Sequence, residues 1–170
     1  MGTFSSELYQ LKEGDSLIVN GPLGECFNVT SFSEEDFIFL SGGTGVTPFI
    51  SIFKFLQDKK MNNKVTMINA NKTYDDIIMR ERLDTLSQDD KYFIMNTLDS
   101  ADDSWGGERG FISKEMIEKY VQNYADKRFL ICGPPPMVAS LRAVLKELGV
   151  ADENVCFDNW QLPGKSQKEN

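Results

Sequence analysis

The chain has 170 residues, 41% of them hydrophobic, which suits one domain of ordinary size with a real core. Its 26 acidic residues outnumber the 18 Lys and Arg, and the formal net charge of -8 repels nucleic acid and anionic membrane surfaces. There is no histidine, which excludes the usual general base, the commonest metal ligand and histidine-activated nucleophiles, so any chemistry must come from a cofactor.

The cysteines and the hydropathy give further expectations. Cys26, Cys132 and Cys156 are odd in number and lack short paired spacing, so we expect neither a disulfide framework nor a metal site. No apolar run reaches the roughly 18 residues of a membrane span, and Met1 precedes a polar segment instead of a signal peptide. These features predict a soluble protein in the reducing cytoplasm.

The N-terminal residues 1–33 predict a fragment of a β-barrel. Residues 16–20 and 26–32 look like two strands of a hairpin, and a short apolar stretch at 8–11 precedes them. Two strands alone form only a marginal sheet. We therefore interpret this region as the end of a barrel whose other strands are not in this sequence.

Residues 34–160 predict an α/β domain. Short apolar runs alternate with amphipathic stretches, a pattern typical of a three-layer, doubly wound fold with a parallel sheet. Four helices separate the strands, and Gly149 ends the last helix. Residues 161–170 form a polar tail, which we expect to be disordered. The five predicted strands are residues 36–41, 64–70, 91–98, 128–132 and 154–157.

A glycine-rich segment, SGGTGVTP at 41–48, follows the first strand and opens the first helix. Glycines permit a tight turn and close approach of a ligand, while a helix N-terminus offers N–H groups and a positive dipole end to a pyrophosphate. Pro48 replaces the last glycine of a G-x-G-x-x-G motif, and no Walker lysine follows. The segment predicts a dinucleotide site, or a turn that merely connects strand and helix.

A second segment, CGPPPM at 132–137, follows the fourth strand. Ligands of open α/β sheets bind at the carboxyl ends of the strands, where the glycine-rich segment also lies. Three prolines fix the backbone and suit the first turn of a helix. The alternative for Cys132 is a small buried hydrophobe.

Together these two segments, in this order and each after a strand, resemble the nicotinamide domain of ferredoxin–NADP reductase-like flavoenzymes, especially cytochrome b5 reductases and bacterial oxygenase reductases. The resemblance extends over nearly the whole chain. It implies that Cys132 lies against the nicotinamide ring near the hydride path and positions it, without acting as a nucleophile. The other residues implied at the NAD site are Gly43, Thr44, Gly45, Val46, Thr47, Pro48, Asn71, Gly133, Pro134, Pro135 and Met137.

The resemblance also bears on the choice between NADH and NADPH. Asp76, in the segment after the second strand, occupies the place of an acidic residue that disfavours a 2′-phosphate, which favours NADH. Lys72 lies nearby and opposes this argument. The alternative is that Thr73 and Asp76 form a capping box at a helix start. Residues 105–112 resemble the loop before the third helix, for which Ser113 is a predicted N-cap.

The flavin side of the resemblance is less complete. The residues implied near FAD are Gly2, Thr3, Phe4, Ser5, Thr47, Phe157 and Trp160. The arginine-aromatic-serine motif that precedes them in the family is not in this sequence. FAD binding is therefore expected only if the missing barrel is supplied, and packing over the sheet edge is an equal alternative for Trp160.

We therefore predict an NADH-dependent flavin oxidoreductase module that passes hydride from NADH to FAD and electrons to a haem or iron–sulfur acceptor. The alternative is a nucleotide-binding domain, or a piece of a longer reductase, without redox activity of its own. A generic Rossmann or flavodoxin-like protein with another ligand is a third reading that no motif supports.

Overall fold

The fold is given by a computed structural model that describes residues 2–21, 26–28 and 35–157. In this part of the chain all strands belong to one parallel sheet, with the order β4-β3-β2-β1-β5-β6. The strands are β1 (Phe37–Gly42), β2 (Val65–Asn71), β3 (Tyr92–Leu98), β4 (Glu108–Arg109), β5 (Arg128–Cys132) and β6 (Val155–Phe157). The helices are α1 (Thr3–Gln10), α2 (Thr47–Asp58), α3 (Arg80–Leu86), α4 (Lys114–Tyr120) and α5 (Pro135–Glu147).

The central strand β1 is apolar at nearly every position because helices cover both faces of the sheet, and all six of its residues are buried. Alternate side chains enter two separate hydrophobic clusters. Phe39 stacks on Phe49 of α2, with 4.6 Å between ring centroids. Leu40, on the other face, shares a cluster with Leu141 of α5. The predicted three-layer doubly wound fold is thereby confirmed.

The structure adds a sixth strand to the five that the sequence predicted. Strand β4 has two residues and pairs only with Thr97 and Leu98 of β3. Glycines flank it on both sides, so it lacks the apolar alternation that marks a strand. Gly149 ends α5 as predicted, with φ +78 and its N–H donating to the Lys146 carbonyl.

The predicted N-terminal hairpin is wrong in its first half. Residues 16–20 belong to no strand, and most of the 8–11 stretch lies in α1, which buries no residue. Leu17, Ile18 and Val19 are exposed. Apolar residues without partner strands do not form a sheet. Residues 26–28 form a turn, and residues 29–32, like the polar tail, lie outside the described residues.

The expectation of no disulfide is also wrong. Cys26 and Cys156 form a disulfide, with Cα atoms 5.4 Å apart and a sequence separation of 130. Phe27 packs against Phe49 at 5.7 Å between ring centroids, which holds this segment on α2. Spacing along the chain could not predict this pair because it depends on β6 adding beside β5.

The described residues contain neither a candidate membrane span nor a metal cluster. None of the helices there is both long and apolar enough to cross a bilayer. No group of three or more Cys, Asp or Glu side chains in those ranges is arranged to hold a metal ion.

Candidate functional site

The glycine-rich segment forms a turn from β1 into α2. Residues Gly43–Val46 make one 3-10 turn, and α2 starts directly at Thr47. Gly43 has φ +53, and a Cβ there would meet nothing within 4 Å. The Thr47 hydroxyl donates to the Thr44 carbonyl at 2.9 Å, which fixes the last turn before the helix. The segment therefore presents bare backbone beside a helix N-terminus, as anion binding requires.

The proline-rich segment lies beside this turn because β5 pairs with β1, with Cys132 opposite Ser41. Gly45 packs on the main chain at Cys132, where a Cβ would overlap the carbonyl oxygen. The Met137 side chain lies against both Gly42 and Gly133, and a Cβ added to either glycine would contact it. The two segments that the sequence singled out thus form one continuous surface at the carboxyl edge of the sheet.

Two adjoining cavities open on this surface. The first, which we call the Cys132 cavity, has a volume of about 780 Å³. The second, the Asn71 cavity, has a volume of about 710 Å³. Both are lined by Gly42, Gly43, Thr44 and Pro134. The Cys132 cavity is also lined by Gly45, Thr47, Pro48, Ser51, Cys132 and Gly133.

The Asn71 cavity begins where β2 ends. It is also lined by Ala70, Asn71, Lys72, Asp76, Ile78, Asp99, Gly110, Phe111, Ile112, Pro136, Met137, Ser140 and Leu141. Its wall combines apolar surface with two carboxylates and one ammonium group. An exposed aromatic ring at its edge, Phe111, offers a face on which a planar base could stack.

Asn71 is the most unusual polar group in this wall. The residue is 7% exposed, yet neither its side-chain nitrogen nor its side-chain oxygen has a hydrogen-bond partner. Its main-chain carbonyl accepts from the Asp99 N–H at 3.0 Å, which fixes the backbone beside the cavity. Buried amides are normally paired, so this side chain is a candidate for pairing with a bound molecule.

Asp76 caps a short turn and also lines the Asn71 cavity. Its carboxylate accepts from the Thr73 hydroxyl at 2.7 Å and from the Thr73 N–H at 3.0 Å. These hydrogen bonds lower the pKa of Asp76 and complete the predicted capping box. The same side chain lines the Asn71 cavity, so capping the turn does not remove it from the site.

The predicted NAD residues divide into two groups. Most line one or both cavities: Gly43, Thr44, Gly45, Thr47, Pro48, Asn71, Asp76, Cys132, Gly133, Pro134 and Met137. Val46, which is fully buried in the core, and Pro135, in the first turn of α5, line neither cavity. Sequence pattern alone did not reveal which way these two side chains point.

Of the predicted FAD residues that the structure describes, only Thr47 lines one of these cavities. Gly2 caps α1, while Thr3, Phe4 and Ser5 lie within it. Phe157 packs under Arg142, whose guanidinium carbon lies 4.1 Å from the ring centroid. Trp160 lies outside the described residues. The FAD set therefore stays a prediction.

Several lining residues were missed by the sequence reasoning. Asp99, from the end of β3, and Ser140, from the second turn of α5, enter the wall through tertiary contacts. Gly110, Phe111 and Ile112 belong to the 105–112 segment, so its resemblance to a family loop was an available signal. Ser113 accepts from the Met116 N–H at 3.3 Å and is the N-cap of α4, as predicted.

Comparison with known proteins identifies the family. The profile of the oxidoreductase NAD-binding domain matches residues 39–143, which include both loops. This chain belongs to the oxidoreductase NAD-binding domain family. Among curated relatives of this NAD-binding domain, a component of the Na(+)-translocating NADH-quinone reductase of Serratia proteamaculans is 33% identical over 166 residues. The corresponding component from Pseudoalteromonas atlantica is 32% identical. Each match covers 94% of this chain and 40% of the relative.

Solved structures agree with this assignment. The cytochrome b5 reductase domain of Ulva prolifera nitrate reductase has a TM-score of 0.78 and 26% identity, over 92% of this chain and 64% of that chain. The CS-b5R domains of human Ncb5or, in the NAD+ form, have a TM-score of 0.74 and 27% identity, over 93% of this chain and 46% of that chain. A ferredoxin NADP+ reductase from Neisseria gonorrhoeae shares the fold, with a TM-score of 0.75 and 21% identity over 93% and 70%. The NAD-binding domain thus has the fold that these cytochrome b5 reductase domains and this ferredoxin NADP+ reductase share.

Proposed function

We propose that this domain binds NADH across the two adjoining cavities and presents the nicotinamide to a flavin. When bound, NADH would supply a hydride to the flavin, which passes single electrons to an acceptor. The observation that carries the proposal is the meeting of the glycine-rich and proline-rich loops in one surface between the Cys132 cavity and the Asn71 cavity. Missing histidine is no obstacle, because hydride transfer requires no side chain to act as acid or base.

The residues present fit a dinucleotide. Gly43 offers open space and main-chain groups at a helix N-terminus, where a pyrophosphate would be stabilised. The unpaired Asn71 amide has one donor group and one acceptor for the polar edge of a ribose or base. Cys132 lines the other cavity, on the opposite side of the glycine-rich loop from Asn71. It would lie at the nicotinamide end of the dinucleotide and position the ring.

We further propose that the domain prefers NADH to NADPH. Asp76 and Asp99 both line the Asn71 cavity, and two carboxylates would repel a 2′-phosphate. Lys72 in the same wall offsets part of this repulsion.

For the acceptor we propose a haem or iron–sulfur protein. The structures named as cytochrome b5 reductase domains, at 26% and 27% identity, support a haem partner. The curated relatives are named for NADH and quinone, so a quinone-linked acceptor is the alternative outcome. Reduction of a b-type cytochrome, a ferredoxin and a soluble quinone by the flavin-loaded protein would separate these partners.

The second candidate function is nucleotide binding without turnover. The observation that favours it is the exposed apolar surface of residues 2–21, where Ile18 is 100% exposed and α1 buries nothing. A flavin-binding barrel would be expected to cover such side chains. In the described residues nothing does so.

Titration calorimetry with NADH and NADPH, followed by ferricyanide reduction with added FAD, tests both candidates. Saturable NADH binding with FAD-dependent reduction is the expected result. NADH binding without reduction would leave only the binding module. If neither nucleotide binds at millimolar concentration, both candidates are wrong.

A further inference from the structure

A row of polar side chains crosses the middle of the sheet just below the nucleotide cavities. Ser41 of β1, Asn69 of β2 and Asn96 of β3 are register partners on neighbouring strands. Ser41 and Asn69 are fully buried. Central strands of parallel sheets are normally apolar here, and buried polar groups are costly unless they are paired. A row of this kind requires a physical reason.

The hydrogen bonds of the row all run in one direction. The Ser41 hydroxyl donates to the Asn69 side-chain oxygen at 2.6 Å, and the Asn69 side-chain nitrogen donates to the Asn96 side-chain oxygen at 2.8 Å. A hydroxyl has one proton and two lone pairs. Because its proton points to Asn69, the Ser41 oxygen is left as an acceptor for any donor on its other side.

Cys132 lies on that other side. It is the register partner of Ser41 on β5, and neighbouring strands are separated by about 4.8 Å. It belongs to the same hydrophobic cluster as Phe37 and Phe39, which share a face of β1 with Ser41. Cys132 is 2% exposed, and its thiol is a weak S–H donor. The thiol of Cys132 and the free lone pair of Ser41 therefore lie on paired residues of neighbouring strands and on the same face of the sheet.

We propose that Ser41 is a positioning residue that accepts a hydrogen bond from the Cys132 thiol and fixes its side-chain rotamer at the Cys132 cavity. Asn69 and Asn96 hold the Ser41 hydroxyl in the acceptor orientation. The row therefore ties the side chain nearest the nicotinamide end to the rigid centre of the sheet. The effect of this contact on function rests on the proposed role of Cys132 in positioning the nicotinamide, whereas the hydrogen bond itself does not depend on that role.

The S–H stretching band in the Raman spectrum tests the hydrogen bond directly, since its wavenumber falls when the thiol donates. Cys26 and Cys156 are joined, so Cys132 carries the one S–H group of the oxidised chain, and Cys132→Ala identifies its band. In Ser41→Ala we expect the band to move to higher wavenumber. The matched control is Thr97→Val, which removes a buried hydroxyl that donates to the Gly110 carbonyl outside the row.

An unchanged band in Ser41→Ala, or an equal shift in Thr97→Val, would overturn the proposal. If Ser41→Ala does not fold, Asn69→Ala replaces it, because it releases the Ser41 proton and must also shift the band. NAD+ titration of the same samples separates the two proposals. A band shift in a protein that binds no nucleotide would retain the Ser41 contact and reject the proposed function.

Discussion

Asn69 and Asn71 are two residues apart on β2 and point to the same face of the sheet, but only Asn69 has its side-chain amide paired. Asn69 lies inside the sheet, between Ser41 and Asn96. Asn71 lies at the strand end, in the wall of the Asn71 cavity. An asparagine side chain therefore stabilises the fold at position 69, whereas at position 71 it is available to a ligand.

Replacing each amide with leucine should have opposite effects on the ligand-free protein. Asn69→Leu leaves Ser41 and Asn96 without their partner, so we expect the free energy of unfolding to fall by about 1–3 kcal/mol. Asn71→Leu removes an unpaired buried amide and should leave stability unchanged or raise it, while NAD+ affinity falls by about tenfold. Urea unfolding and calorimetry measure the two quantities. Equal destabilisation by both variants, with NAD+ affinity intact in Asn71→Leu, would contradict this assignment.

Gly45→Ala should damage the junction between the two loops. The added Cβ would overlap the Cys132 carbonyl oxygen, so one loop must move, at a cost of about 1–3 kcal/mol. We expect NAD+ affinity to fall by at least about tenfold, a loss of about 1.4 kcal/mol. Gly106→Ala is the matched control because a Cβ there meets nothing within 4 Å. An unaltered titration curve for Gly45→Ala would show that this contact does not shape the site.

The preference for NADH should depend on the carboxylates of the Asn71 cavity. We expect Asp76→Asn and Asp99→Asn each to improve NADPH binding relative to NADH several-fold at low salt, with a smaller change at about 1 M salt because screening weakens charge repulsion. Competitive titration at both salt concentrations gives the ratio of dissociation constants. Asp75→Asn, whose side chain is absent from this cavity wall, is the control and should leave the ratio unchanged.

Acid should weaken the attachment between β1 and β5. Burial acts to raise the pKa of Asp36, but hydrogen bonds from the Lys127 ammonium and the Lys64 N–H outweigh it and lower that pKa below 3.8. A carboxylate whose pKa is lower in the folded protein than in the unfolded chain stabilises the fold at any pH above its unfolded pKa. This stabilisation is lost as the pH falls below about 4.

Asp36→Asn should therefore lower stability at neutral pH and flatten its decline between about pH 4 and pH 2, as followed by urea unfolding. Asp58→Asn is the control. Its pair with Lys54 is largely exposed and should contribute little at either pH. Parallel pH profiles for the wild type and Asp36→Asn would reject the role of Asp36.

The disulfide should be visible as a count of thiols. In denaturant without reductant we expect one reactive thiol per chain, from Cys132, and three after reduction. Cys26→Ser should lower the free energy of unfolding by about 2–4 kcal/mol, because a cross-link over 130 residues restricts the unfolded chain. Reductant should destabilise the wild type but not Cys26→Ser. Three reactive thiols before reduction would show that the bond does not form.

Local signals predicted much of this fold. The five strands and the two ligand loops are continuous in sequence, so apolar runs and glycine or proline clusters were sufficient to place them. Ser113 and Gly149 also act on their own helices and were predictable. The loops reach one edge because parallel strands all end there, a rule that requires no coordinates.

The remaining features depend on contacts between distant segments. Asp99 enters the cavity wall because β3 pairs with β2, and Cys156 meets Cys26 because β6 adds to the sheet edge. Neither contact can be predicted from the spacing of residues along the chain. Val46 is a different case: its side chain is buried in the core within the 3-10 turn, although Gly45 and Thr47 on either side line the Cys132 cavity.

The position of β1 between β2 and β5 has a consequence for biosynthesis. The Asp36–Lys127 contact at the start of the β1–β5 pairing spans 91 residues, whereas the β1–β2 pairing is complete much earlier in the chain. During translation, one edge of the strongly apolar strand β1 therefore stays unpaired until β5 has emerged from the ribosome. Such non-local pairing slows folding and leaves an edge open to association with other chains. The strand that carries the glycine-rich loop is thus also a segment open to association with other chains until β5 has been made.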